Sequence, residues 1–140
     1  MLNSKFRFSL VLLLTSLSSF AMPPTPEGEW AARSPNISER PIGVVKISIV
    51  KNRLSGELIE VLPLNGSLRG CYKNKQTRVG PVVMCNYYQS GDKWIGGYIF
   101  ESKTAKIYES EISLSQDGNE LYVTGISGVF SQTATWTRLK

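Results

Sequence analysis

Apolar and polar residues alternate from Trp94 to Gly125, in three short runs that two polar turns separate. A period of two is typical of a β-strand that buries one face. The second run, Lys106–Leu114, places four alternate residues on one predicted inner face: Tyr108, Ser110, Ile112 and Leu114. The turn Ser115–Asn119 contains Asp-Gly, a strong hairpin signal, and predicts that the second and third runs pair.

The same period recurs along the chain, and no helical period lasts longer than a turn or two. It predicts eight strands: Gly28–Ala32, Gly43–Val50, Leu54–Val61, Val82–Tyr88, Trp94–Phe100, Lys106–Leu114, Glu120–Ile126 and Val129–Arg138. Short strands joined mostly by hairpin-length loops predict an all-β protein, an eight-stranded antiparallel up-and-down β-barrel. Closure removes the unpaired edges, and such an interior holds packed side chains or one small ligand.

The N-terminal residues 1–21 have the layout of a secretory signal peptide. A short basic head precedes the apolar run Phe8–Leu17, and small residues stand before a cleavage site after Ala21. An uncleaved anchor is the alternative, but the run is too short to span a bilayer. We therefore expect a periplasmic or secreted bacterial protein with no stable membrane anchor. An exposed, extended, proline-rich lead-in at 22–27 would precede a single barrel domain at 28–140.

Composition excludes several classes of site. The formal net charge is +5, without a basic helix or a glycine-rich phosphate loop, so we expect no nucleic-acid partner. The chain contains no histidine, which removes histidine-based triads and histidine-ligated metal sites. We expect no cofactor and no metal.

The two cysteines, Cys71 and Cys85, are too few for a zinc cage. In an oxidising compartment they favour a disulfide. The alternative is two unpaired buried thiols, because a sequence does not report the Cα separation that a bridge needs.

Several residues have patterns that predict structural roles. In a closed barrel the first and last strands are neighbours, so the Arg138 guanidinium can stack on the Trp30 indole and cap one end. Two consecutive glycines inside a strand indicate a bend where the sheet coils, or else close approach of a ligand or a neighbouring backbone; we favour the bend. The residues with predicted structural roles are Trp30, Trp94, Gly96, Gly97, Trp136 and Arg138.

The long irregular stretch Leu68–Gly80 carries a basic cluster: Arg69, Lys73, Lys75 and Arg78. It is interpreted either as a barrel rim that attracts an anionic group or as an ordinary solvated loop. Glu109 and Glu111 lie side by side on an outer face, whereas a glycosidase needs carboxylates on both sides of its substrate.

The chain resembles the DUF2147 family of small exported bacterial proteins from about Gly28 to Arg138. The motifs that carry the resemblance are Trp94-Ile95-Gly96-Gly97-x-Ile99, Asp117-Gly118, Trp136-Thr137-Arg138 and Gly28-x-Trp30. The Gly-x-Trp and Arg pair also resembles the signature of the lipocalin and wider calycin families. The sequence departs from the usual DUF2147 pattern at Glu101-Ser102 and Ala105, and in the positions of its cysteines. The resemblance implies a lipocalin-like barrel in the envelope or secreted, and no activity, because none is established for the family.

Our first hypothesis is a non-enzymatic binding protein that carries or sequesters a small apolar or amphipathic ligand inside the barrel. The predicted lining consists of Val45, Ile47, Leu58, Tyr98, Tyr108, Ile112, Val123 and Phe130. The second is an envelope or secreted protein–protein interaction module with a filled core and an exposed apolar patch; its partner is not identified. The third, an enzyme, is disfavoured: without histidine it would depend on carboxylates, tyrosine or lysine, and these form no recognisable arrangement.

Overall fold

The structure is a computed structural model that describes residues 22–35, 41–61, 82–101 and 106–140. Its eight strands are β1 (Gly28–Ala32), β2 (Gly43–Val50), β3 (Arg53–Val61), β4 (Val82–Ser90), β5 (Lys93–Glu101), β6 (Lys106–Leu114), β7 (Glu120–Ser127) and β8 (Phe130–Arg138). They close into one barrel in chain order, and β1 pairs antiparallel with β8. The predicted fold is confirmed, and the strand ends agree closely with the sequence periods.

Some predictions fall outside the described residues. These are the signal peptide at 1–21, Cys71, and the basic residues Arg69, Lys73, Lys75 and Arg78. Cys85 is half-buried on β4, but its pairing with Cys71 stays a prediction, as does the rim role of the basic cluster. None of the described residues belongs to a helix long and apolar enough to cross a membrane.

The two ends of the barrel differ, and we call them the base and the mouth. At the base lie the turns at 51–52, 91–92 and 115–119, together with the segments 22–27 and 139–140. At the mouth lies the turn at 128–129.

Inward-facing side chains of β6, β7 and β8 form layers, because directly opposed residues share a face. From the base upward, the layers are Leu114–Leu121–Trp136, then Ile112–Val123–Ala134, then Ser110–Gly125–Gln132. Large side chains from the other strands fill the base half; those with 0% exposure are Trp30, Leu54, Met84 and Tyr87.

A bulge in β5 corrects the predicted direction of Tyr98. The register shifts between Trp94 and Gly97, and Gly96 has a φ of +69°, a conformation that glycine adopts readily. Strict alternation from Trp94 would point Tyr98 inward, but the bulge adds a residue and turns Gly97 inward instead. Tyr98 is consequently 41% exposed. The bend that we predicted at this glycine pair is present.

Close approach accompanies the bend. The ring of Tyr87 lies against Gly97 and the ring of Tyr88 against Gly96, so that neither glycine has room for a Cβ atom. The favoured explanation, the bend, therefore holds. The groups that approach the two glycines are side chains of β4, and not the ligand or backbone that the alternative named.

Phe130 was predicted to line the interior and is instead 77% exposed. Alternate residues of a strand share a face, so our prediction placed Phe130 on the same inner face as the buried Ala134 and Trp136. However, it is the first residue of β8 and lies at the mouth, beyond the packed layers.

The segment Met22–Glu27 is exposed, as expected, except at Pro26, and it is also attached to the base. Pro26 is buried, and its carbonyl accepts a hydrogen bond of 2.9 Å from Trp30 Nε1. A carboxylate oxygen of Glu27 accepts another, also 2.9 Å, from the backbone N–H of Ile49. This segment therefore forms part of the closure of the barrel.

Candidate functional site

Arg138 closes the base. Its guanidinium carbon lies 4.3 Å from the ring centroid of Trp30, as predicted. Its nitrogens donate to three backbone carbonyls: to Thr25 and Glu27 at 2.6 Å each and to Gly118 at 2.7 Å. These bonds tie the last strand to the N-terminal segment and to the β6–β7 turn. The base is a structural closure, and a ligand would have to enter elsewhere.

The packing changes at one level of the barrel, which we call the floor layer: Gly97, Ser110, Gly125 and Gln132. These residues are successive cross-strand neighbours on β5, β6, β7 and β8. Below them lie the buried Ile112, Val123 and Ala134. All four members of the floor layer are glycine or polar, so on β6, β7 and β8 the packed apolar layers of the base half end here. On β3 and β4 the buried Leu58 and Met84 continue the apolar core toward the mouth.

The two glycines of the floor layer have different surroundings. The ring of Tyr87 occupies the space over Gly97, whereas among the described residues a Cβ atom at Gly125 would meet only Tyr108 Cβ, at 3.9 Å. Gln132 lies two residues from Ala134 on β8, so both belong to the inner face, but Gln132 is exposed. Among the described residues, the interior is therefore filled on the β4–β5 side of the floor layer and less densely packed on the β7–β8 side.

Ser110 lies between these two glycines. It is 1% exposed, and its Oγ atom has no hydrogen-bond partner among the described residues. Buried hydroxyls are nearly always paired, because an unpaired one loses its bonds to water without replacement. The hydroxyl is thus available to a group within the interior.

The structure separates the eight predicted lining residues into three groups. Buried inside are Val45, Ile47, Leu58, Ile112 and Val123. Tyr108 is half-buried at the mouth. Tyr98 and Phe130 are exposed and do not line an enclosed interior.

The sequence analysis missed Gly125 and Gln132 as site residues and placed Ser110 on the inner face without assigning it a role. One signal was available: Ser110 interrupts an otherwise apolar inner face between Tyr108 and Ile112.

A depression of about 570 Å³, open to solvent, lies at the mouth where β6 and β7 diverge. Their pairing ends at Glu109 and Ile126, although β6 begins at Lys106 and β7 continues to Ser127. The lining combines Tyr108 from the inner face with Ile107 and Glu109 from the outer face. None of the floor-layer residues lines this depression.

A second open depression, of about 610 Å³, lies at the base against the β6–β7 turn. There Ser115 Oγ donates to an Asp117 carboxylate oxygen at 2.6 Å, and the backbone N–H of Asn119 donates to the same oxygen at 3.0 Å. These bonds lower the pKa of Asp117. The hydroxyl of Tyr122 donates to Glu120 at 2.9 Å, which raises the pKa of Tyr122. Both shifts follow from turn geometry and do not point to a reaction.

Acidic and sulfur ligands do not cluster in the described ranges: no three Cys, Asp or Glu side chains there could hold a metal ion together. The buried residues of the same ranges include no charged side chain, and their hydroxyls are those of Ser110 and Tyr87. The candidate site is therefore largely apolar and uncharged.

A protein-family model described as "Uncharacterized protein conserved in bacteria (DUF2147)" matches residues 28–138. No curated protein matches the chain. Among solved structures, the fold is similar to that described as "Protein HP1028 from the human pathogen Helicobacter pylori belongs to the lipocalin family". The TM-score is 0.62 at 16% sequence identity, and the match covers 84% of each chain. At this identity the likeness shows a shared lipocalin-like fold.

Proposed function

The chain belongs to the DUF2147 family of uncharacterised bacterial proteins, and from its geometry we propose that it is a non-enzymatic binding protein. It holds a small apolar or amphipathic ligand in the mouth half of the barrel, above the floor layer. A lipocalin-like fold supports binding over catalysis, and the sparser packing on the β7–β8 side of the floor layer supports a ligand position there.

The observation that carries this proposal is the unfilled space over Gly125. The neighbouring layer toward the base is sealed by Val123 and Ala134, at 3% and 6% exposure. One layer higher, Gly125 has no side chain and Gln132 is exposed. Because Gly125 has no side chain, an apolar group placed beside Tyr108 would extend the core, and its burial away from water would be favourable.

Titration with N-phenyl-1-naphthylamine, whose emission rises in apolar surroundings, tests the proposal. We expect saturable binding to delipidated protein, with displacement by 1-octanol and by monoacylglycerols. Gly125→Phe, which places a ring in the open space, should abolish binding while the circular dichroism and the unfolding transition of the barrel persist.

The matched control is Thr124→Phe, one residue away on β7. Thr124 lies on the outer face, where its hydroxyl is 2.8 Å from that of Thr133. This variant should bind the probe like the wild type. Absence of saturable binding by the wild type, or equal binding by Gly125→Phe, would refute the proposal.

A second candidate function is protein–protein interaction through the mouth. The tip between β7 and β8 exposes Val129 by 93% and Phe130 by 77%, and Ile107 on β6 is 53% exposed. The filled base half also fits this alternative, but the open side of the floor layer does not require a partner protein. Val129→Ser should leave probe binding unchanged if the tip serves a partner and the interior serves a ligand.

We also propose that the protein acts in the periplasm or after secretion, on the support of the signal-peptide layout of residues 1–21. Mass determination of the exported protein should find Met22 at its N-terminus. A chain that retains Ala21 in the membrane fraction would contradict this proposal.

A further inference from the structure

Ser110 carries a hydroxyl that the described part of the fold does not use. Its backbone is paired with β5 on one side and β7 on the other, and its side chain is 1% exposed. No described group bonds to Oγ. A ligand that excludes water from this layer must supply the missing hydrogen bond or leave the hydroxyl unpaired, which is unfavourable.

The surroundings of Ser110 leave one direction of approach. On the β5 side, the Tyr87 ring covers Gly97. Toward the base, Ile112 is 1% exposed and seals the next layer. On the β7 side, the described atom nearest to a Cβ at Gly125 would be Tyr108 Cβ, at 3.9 Å, which leaves room for a methyl-sized group. A partner for the hydroxyl therefore comes from the mouth, across Gly125.

The charge of the surroundings limits what that partner can be. The buried residues of the described ranges carry no charged side chain, and the hydroxyls among them are those of Ser110 and Tyr87. A carboxylate or ammonium group brought to this depth would find no described buried counter-charge, and an unpaired buried charge is much more costly than an unpaired neutral group. A serine hydroxyl both donates and accepts, so it suits a neutral hydroxyl or carbonyl.

We infer that the ligand is an amphipathic molecule with an uncharged hydrogen-bonding end, and that this end pairs with Ser110 Oγ at the floor of the open half. This inference rests on the proposed function and adds the chemical class of the ligand. The apolar body of the ligand lies above the floor layer, against Tyr108 and the open face of Gly125. Any charged group on the ligand stays at the mouth, in water.

The test compares three ligands of one chain length, 1-octanol, n-octane and octanoate, as competitors of N-phenyl-1-naphthylamine on the intact exported protein. Ser110→Ala should lower the affinity for 1-octanol by about fivefold to tenfold, because one buried hydrogen bond is lost. The same variant should leave n-octane unchanged, because the alkane makes no such bond. At neutral pH octanoate should bind the wild type more weakly than 1-octanol.

The matched control is Ser113→Ala, on the same strand but on the opposite face, which should change none of the three affinities. Equal loss of 1-octanol and n-octane in Ser110→Ala would overturn the inference, as would octanoate binding as tightly as 1-octanol. Either result would leave the proposed function standing. If none of the ligands displaces the probe, the proposed function itself fails, and the inference fails with it.

Discussion

At the scale of single residues, Arg138 connects three parts of the base: β1, the N-terminal segment and the β6–β7 turn. One guanidinium stacks on Trp30 and bonds to carbonyls of the N-terminal segment and of the β6–β7 turn. A planar guanidinium makes several directed bonds at once, whereas an ammonium group cannot reproduce that geometry.

Arg138→Lys should therefore lower the free energy of unfolding by about 2–3 kcal/mol, since it removes charge-assisted hydrogen bonds and the stacking contact together. Urea denaturation followed by tryptophan emission measures the change. The matched control is Arg53→Lys: Arg53 stacks on Tyr88 at 5.3 Å, on the exposed outer surface, and its replacement should cost about 0.5 kcal/mol or less. Equal losses in the two variants would contradict the closing role of Arg138.

The stability that the β6–β7 turn contributes depends on pH, because Asp117 can be protonated. The Ser115 hydroxyl and the Asn119 N–H hold the pKa of this carboxyl below its ordinary value of 3.8. Because folding favours the ionised carboxylate, Asp117 contributes to the free energy of unfolding above pH 3.8. This contribution is lost as the pH falls through the lower pKa of the folded state. Asp117→Asn should thus be less stable than the wild type at neutral pH.

Urea denaturation measures the free energy of unfolding of Asp117→Asn and of the wild type. The difference between the two should become smaller well below pH 3.8, where both proteins carry an uncharged group at this position. Ser115→Ala removes the main donor and should reproduce the loss at neutral pH. A gap of the same size at neutral and strongly acidic pH would show that the charge of Asp117 is not its cause.

At the scale of the strands, the bulge in β5 determines which side chains enter the barrel. It turns Gly97 inward, against Tyr87, and leaves Gly125 opposite open space across Ser110. The two glycines thus occupy one layer but play opposite parts: one makes room for a core side chain, and the other leaves room for a ligand.

Gly97→Ala should destabilise the barrel by about 2 kcal/mol, because the added methyl overlaps the Tyr87 ring in a packed core. Gly125→Ala should change stability by no more than about 0.5 kcal/mol, or increase it, since the methyl enters free space and glycine is a poor strand residue. Thermal unfolding of both variants provides the comparison. Similar melting temperatures for the two would mean that the floor layer is packed evenly.

Strand positions were predictable because alternation in β2, β6 and β7 is regular, and one buried face fixes which residues point inward. The direction of Tyr98 was not predictable by alternation, because the Gly96 bulge shifts the count by one residue. The glycine pair signalled a bend without giving its register. Phe130 shows a further limit. Alternation predicts which face of the sheet a side chain occupies, but not whether the neighbouring strands extend far enough to cover that side chain.

At the scale of the whole molecule, the described inner residues fill the base. At the floor layer β6, β7 and β8 carry small or polar inner residues, while Leu58 and Met84 on β3 and β4 stay buried. The sequence could not predict this division, since it depends on which residues of different strands share a layer. Tyr87 fills one side of the floor layer from β4, and nothing in the local sequence of Gly125 or Gln132 marks the other side as open. Only the register brings Ser110 and Gly125 together.

The most direct test of ligand binding in the mouth half is methyl NMR of the exported protein during titration with 1-octanol. Saturating shifts are expected at the methyl groups of Val123 and Ala134, directly below the floor layer. The methyl groups of Leu54 and Leu121, within the filled base, should stay unchanged. Shifts confined to outward residues such as Ile107, or no saturating shift at Val123 and Ala134, would contradict the account.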